Sequence, residues 1–177
     1  MKNLLLLFTT VLLFSCNQPS LTFNEMVDLS QKEALSITSL AKFYEASATK
    51  KQNAIKSVFR GVENSTILVE VTTGGKVKSE VVDSPFLEDV VIYLPVKMTL
   101  EEAEQLLLDA GYGTGVEGVA DWSVVVLRKP LGPEKTAALY IFTTSKGYVS
   151  VNTITKEISP TETLLGENLR VLRIATG

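Results

Sequence analysis

The chain has 177 residues, 45% of them apolar, with 17 basic against 20 acidic side chains and a net charge of −3. Such a composition describes a folded, mildly acidic protein of one domain, or two small ones sharing a core. It excludes a disordered chain and a basic nucleic-acid binder. With no histidine and a single cysteine, Cys16, Ser-His and Cys-His nucleophile pairs, zinc sites built on those residues and an internal disulfide are excluded as well.

The first element is MKNLLLLFTTVLLFSC, Met1 to Cys16. Lys2 precedes an apolar run from Leu4 to Phe14, interrupted only by Thr9 and Thr10. A small residue, Ser15, stands before the cysteine. This is the pattern of a secretory signal, and the run is shorter than the roughly 20 residues that span a bilayer. Leu13-Phe14-Ser15-Cys16 resembles a bacterial lipobox, with Phe14 where a smaller residue is usual. The resemblance implies that residues 1–15 are a signal peptide and that Cys16 is lipidated, leaving residues 16–21 as a tether. By likeness to enterobacterial lipoproteins, Asn17 after the cysteine implies the outer membrane of a Gram-negative bacterium, facing the periplasm. Lipidation would consume the only thiol.

Thr22-Phe-Asn-Glu25 has the spacing of a capping box, and Phe23, Met26 and Val27 open a helical stripe. Ala34, Ile37, Leu40, Ala41 and Tyr44 continue it, with a break expected near residues 46–53. A second short helix is expected at Ala54, Ile55, Val58 and Phe59, stopping at Gly61. From Thr66 the apolar period falls to two, and Ile67, Val69 and Val71 face Val77, Ser79 and Val81 across Gly74-Gly75. A two-residue turn would oppose Val71 and Lys78. A three-residue loop, Thr73-Gly74-Gly75, opposes Val71 and Val77 and is predicted, with Gly75 left-handed. A third strand is expected over Val90 to Val96.

Thr99-Leu-Glu-Glu102 is a second capping box, followed by a stripe of Leu100, Ala103, Leu106, Leu107 and Ala110 and a terminal Gly111. Gly113-Thr-Gly115-Val-Glu-Gly118 matches GxGxxG, but it follows a helix and precedes a strand, the reverse of the dinucleotide arrangement, so it is read as a surface loop. Strands follow at Trp122 to Arg128, Thr136 to Thr144 and Tyr148 to Thr155. A three-residue loop, Ser145-Lys146-Gly147, would pair Ile141 with Val151 and put Tyr140 and Tyr148 on one face. Ser159-Pro160-Thr161-Glu162 reads as a third capping box opening a single helical turn, and Leu169 to Ile174 as an edge strand.

The order helix, hairpins, helix, hairpins gives the fold class α+β: an antiparallel sheet with helices on one face. Residues 22–177 are expected to form the domain, with tandem αβββ halves at 22–97 and 98–177 that share one sheet or form two small ones. Met98-Thr-Leu-Glu-Glu-Ala103 and Val151-Asn-Thr-Ile-Thr-Lys-Glu-Ile158 resemble the opening and closing segments of periplasmic PepSY-type modules, with Lys156 replacing the usual glycine of the closing turn. Residues 94–99, continued through Gly111-Tyr112, are similar to the start of a PASTA module. The helix-then-hairpins order is similar to that of β-lactamase-inhibitor-like proteins. These resemblances imply an extracytoplasmic binding or inhibitory module, with no catalytic residue to carry over.

The leading functional expectation is a non-catalytic, lipid-anchored envelope protein that binds or inhibits another protein, without metal, cofactor or nucleic acid. Candidate contact residues are Tyr112 and Trp122 around the glycine loop, and Tyr140 and Tyr148 on the last hairpin, because aromatics are over-represented at binding hot spots. Core packing is the competing role for each, and the favoured one for Trp122 and Tyr140. The alternatives are a module binding cell-wall glycan or another small ligand, and a carboxylate hydrolase using Asp121 with Glu117 or Asp89 with Glu88.

Overall fold

The computed structural model describes residues 20–63, 65–86, 90–130 and 137–161. Within them lie two helices, α1 (Phe23–Ile37) and α2 (Leu100–Asp109), and eight strands. The strands are β1 (Lys42–Thr49), β2 (Ala54–Arg60), β3 (Thr66–Thr72), β4 (Val77–Val82), β5 (Val124–Arg128), β6 (Leu139–Thr144), β7 (Gly147–Asn152) and β8 (Ile158–Thr161). They form one antiparallel sheet in the order β4-β3-β2-β1-β5-β6-β7-β8. Both helices pack on the same face, so the class is α+β, as the patterning predicts. Each half reads αββββ rather than αβββ.

The halves join through β1 and β5, whose five paired positions centre on Ser47 and Val126. From that seam each half runs outward through three hairpins, giving an approximate two-fold relation between them. The shared core draws on both: Phe23, Met26 and Ala34 of α1 and Ala103 and Leu107 of α2 pack with Phe43, Ile55, Phe59, Val69, Leu127, Tyr140 and Val151. The opposite sheet face carries a smaller apolar group, Val126, Leu139 and Ile141, with Tyr148 against it.

Two of the three expected capping boxes, at Thr22 and Thr99, form. Thr22 Oγ1 accepts from the Glu25 amide while Glu25 Oε2 accepts from Thr22 N at 2.8 Å, and Thr99 and Glu102 repeat this at 2.9 Å. Gly111, at φ 84°, ends α2: its N–H donates to Leu108 O and the Tyr112 N–H to Leu107 O, a Schellman pair. The β3–β4 hairpin has the predicted register, Val71 opposite Val77 and Ile67 opposite Val81, with Gly75 at φ 78°.

Five expectations are corrected. Helix α1 stops at Ile37, and the stripe residues Ala41 and Tyr44 belong to the turn and to β1; Thr38 and Ser39 are weak helix formers, and a central strand favours the aromatics Phe43 and Tyr44. The segment from Ala54 to Phe59 is β2, not a helix: its Ile55, Ser57 and Phe59 suit a strand flanked on both sides, and a pattern this short fits either period. Residues 90–96 form no strand and instead cross over towards α2 through a cis Leu94–Pro95 bond, with Ile92 N donating to Phe43 O. The β6–β7 turn has two residues, not three: Thr144 pairs with Gly147, so Tyr140 opposes Val151 and Ile141 opposes Ser150. Ile158–Thr161 is strand β8 rather than a helix start. Residues 1–19, including Cys16, and the expected strand at 169–174 lie outside the described residues.

Candidate functional site

The ends of the strands present two different surfaces. At one end meet the β1–β2 turn, the residues entering β5, the β6–β7 turn and the loop after α2. Here the structure brings together two of the four aromatic candidates. Trp122 is half-buried, with its ring edge-on to Phe142 at 6.1 Å between centroids and its indole N–H donating to Glu104 Oε1 at 2.6 Å. Lys50 Nζ lies 5.2 Å from the centre of the Trp122 ring and donates to the Ala120 carbonyl. Lys146 Nζ lies 5.3 Å from the centre of the Tyr112 ring and donates to Gly111 O at 2.9 Å. Each aromatic is thus covered by a lysine of the same chain.

The carboxylates at this end are engaged too. Burial is the largest influence on Glu104 and raises its pKa above 4.5, against the indole hydrogen bond and the Lys50 charge. Asp121 accepts from the Ser145 hydroxyl and from its amide at 3.0 Å, and these bonds lower its pKa. Glu117 is exposed on the glycine loop. That loop closes on itself, Thr114 N donating to Val119 O and Gly113 bridging to Ala120, and it follows α2 rather than opening a helix. Asp89 and Glu88 lie outside the described residues.

The other two aromatics separate. The two-residue β6–β7 turn shifts the register by one, so Tyr140 and Tyr148 stand on opposite faces. Tyr140 is fully buried, its hydroxyl donating to Met98 O at 3.1 Å and lying 3.5 Å from Asn24 Oδ1. Burial is the largest of the effects that raise its pKa far above the usual phenol value. It is a latch beneath the start of α2, not a contact residue. Tyr148 packs on Val126, Leu139 and Ile141.

At the opposite end of β5, β6 and β7 the surface is open. A cleft of about 620 Å³ lies between the 91–98 crossover and the β7–β8 turn at 153–156. That volume falls within the range of ligand sites, roughly 300–1,000 Å³. Buried Ile92, Met98, Ala137 and Ala138 make an apolar floor. Tyr93 and Ile154, 86% and 71% exposed, stand at the mouth. Lys97, Lys129 and Lys156 also line it. Among the described residues that line it the one carboxylate, Glu102, is held by its capping bond to Thr99 N, and the Thr153 hydroxyl is committed to Ala138 O at 2.8 Å. The described residues here offer apolar contact and positive charge. None of these lining residues was singled out from sequence as a contact. The one signal was Lys156 at a glycine position.

Among the described residues no group of three His, Cys, Asp or Glu side chains is placed to hold a metal, and no helix is long and apolar enough to cross a membrane. No protein-family model matches the chain, and neither a curated protein nor a solved structure matches it.

Proposed function

We propose that the protein is a lipid-anchored, non-catalytic binding module of the cell envelope, fixed through Cys16 to the outer membrane facing the periplasm. Its domain holds another envelope protein through the cleft between the crossover and the β7–β8 turn. The observation that carries this reading is the cleft itself: an apolar floor, two exposed side chains, Tyr93 and Ile154, at its mouth, and three lysines on a chain of net charge −3. Exposed Tyr and Ile beside an apolar recess are what a partner's anchor side chain would meet. At the other end, Lys50 and Lys146 already cover the rings of Trp122 and Tyr112.

Two measurements test it. Fatty-acid labelling in cells is expected to mark the wild type and not Cys16→Ala; equal label would remove the anchor. Photo-cross-linking in cells, with p-benzoylphenylalanine at Tyr93, is expected to give a discrete protein adduct, while the same probe at Leu40 gives none. No adduct at Tyr93 would remove the cleft as the binding surface.

A further inference from the structure

The two halves place their turns alike. In the first, Thr73 N donates to Asn53 O at 2.8 Å; in the second, Thr153 N donates to Ala138 O at 3.1 Å, each acceptor standing just before the strand paired with the donor's own. Each turn then ends through a residue at positive φ, Gly75 at 78° and Lys156 at 62°. The residue before each helix N-cap is Leu21 in one half and Met98 in the other.

They differ in closure. Leu21 N donates to Thr73 O at 2.9 Å, so the chain entering α1 docks onto the first turn. Met98 makes no such bond, and among the described residues nothing donates to Thr153 O. The cleft lies there, with Met98 and Thr153 in its wall.

They differ also in what sits at the left-handed position. Glycine adopts that conformation freely, whereas a side chain makes it unfavourable. The first turn has the glycine. The second has a lysine whose side chain lines the cleft, held by a turn in which Asn152 Oδ1 accepts from Ile154 N and Thr155 N and Lys156 N donates to Asn152 O. Strain kept at the wall of a recess points to a use for the side chain that causes it. Among the described residues, Lys97, Lys129 and Lys156 make no ion pair or side-chain hydrogen bond.

Resting on the reading of the cleft as a protein-binding site, we infer that its occupant is an extended segment of the partner that carries a carboxylate next to an apolar side chain. The segment's backbone N–H bonds Thr153 O as Leu21 N bonds Thr73 O. Its carboxylate meets Lys156, with Lys97 and Lys129 beside it, and its apolar side chain rests on Ile92, Met98 and Ala138. Charge complementarity of this kind fixes which partner is accepted.

The test uses the full chain in cells with the photo-probe at Tyr93, carrying Lys156→Gly, Lys156→Glu or Lys156→Arg. Adduct yield is expected to fall at least about fivefold in the glycine variant and further in the glutamate variant, and to survive in the arginine variant. The cross-linked peptide, sequenced by mass spectrometry, is expected to contain Asp or Glu beside an apolar residue. The purified Lys156→Gly protein is expected to melt at the wild-type temperature or up to about 3 °C higher, since the strain is relieved. Unchanged yield in the glutamate variant, a captured peptide without a carboxylate, or a lower melting temperature for Lys156→Gly would overturn the inference while leaving a protein partner at the cleft. A lipid adduct, or none, would overturn both.

Discussion

The two halves of this sheet use one plan to opposite ends. Each begins with a threonine-capped helix and continues through three hairpins, and the two meet at β1 and β5. The first half is closed by its own chain: Leu21 bonds to the β3–β4 turn, Gly75 relaxes that turn, and the longer helix α1 reaches β2, β3 and β4, with Glu33 accepting from Ser79 at 2.6 Å. The second half leaves the matching place open, floors it with apolar side chains and rims it with lysines. Where one unit occurs twice, the departures from the shared plan show what is not needed for folding. Here the departures are the missing Leu21-type bond and the lysine at a glycine position, and both fall at the cleft.

The largest effect expected of a single change tests whether the halves are one folding unit. Ile55 and Tyr140 occupy matching, fully buried positions in β2 and β6. Ile55→Ala is expected to cost about 3 kcal/mol, with one cooperative denaturation transition by both circular dichroism and Trp122 fluorescence. Because Trp122 lies in the other half, separate transitions by the two probes would show that the seam does not couple them. Tyr140→Phe sharpens the point at smaller scale. Its hydroxyl serves Met98 O beside Asn24, whose side chain in turn contacts Met98 O and Leu100 N. Losing it is expected to cost about 1–2 kcal/mol in urea denaturation. Gly75→Lys, which installs in the first turn what the second already has, is expected to cost about 1 kcal/mol, because nothing there uses the side chain.

The smallest effect is one of pH. Burial raises the pKa of Glu104 in the folded state, so that state holds its proton more tightly than the unfolded chain. This contribution to stability is full below the ordinary carboxylate value of 4.5 and is lost as pH rises through the folded value. Glu104→Gln keeps an acceptor for the Trp122 indole and removes that loss. The variant is therefore expected to gain on the wild type as pH rises from about 4 to 7, and to match it below. A constant difference across that range would mean that Glu104 is not desolvated.

Local signals were legible where a side chain and its own backbone decide the structure. The capping boxes at Thr22 and Thr99, the Gly111 terminus and the Val71–Val77 register are of this kind, since each rests on contacts a few residues apart. What could not be read was settled by distant partners. Ala54 to Phe59 fits a helix or a strand by period alone, and only pairing with β1 and β3 decides. The Ser145-Lys146 turn depended on which of two apolar registers met the core, and the choice moved Tyr148 to the far face. The cleft was invisible for the same reason: the 91–98 crossover meets residues 137–138 and the turn at 153–156 only through the fold. Its trace in the sequence was Lys156 where the PepSY-type resemblance implies a glycine, and the first half has Gly75 at its own left-handed position.

The comparison comes to rest on whether the open half is filled where the protein works. Cys16 is the only cysteine, so under the lipidation proposed above an engineered thiol is the single reporter. With Ile154→Cys or Leu40→Cys, the rate of N-ethylmaleimide labelling is measured in intact cells and on the purified protein. The account predicts similar rates for both thiols on the purified protein, and labelling at residue 154 slowed several-fold relative to residue 40 in cells. Equal rates at the two positions in cells would contradict it.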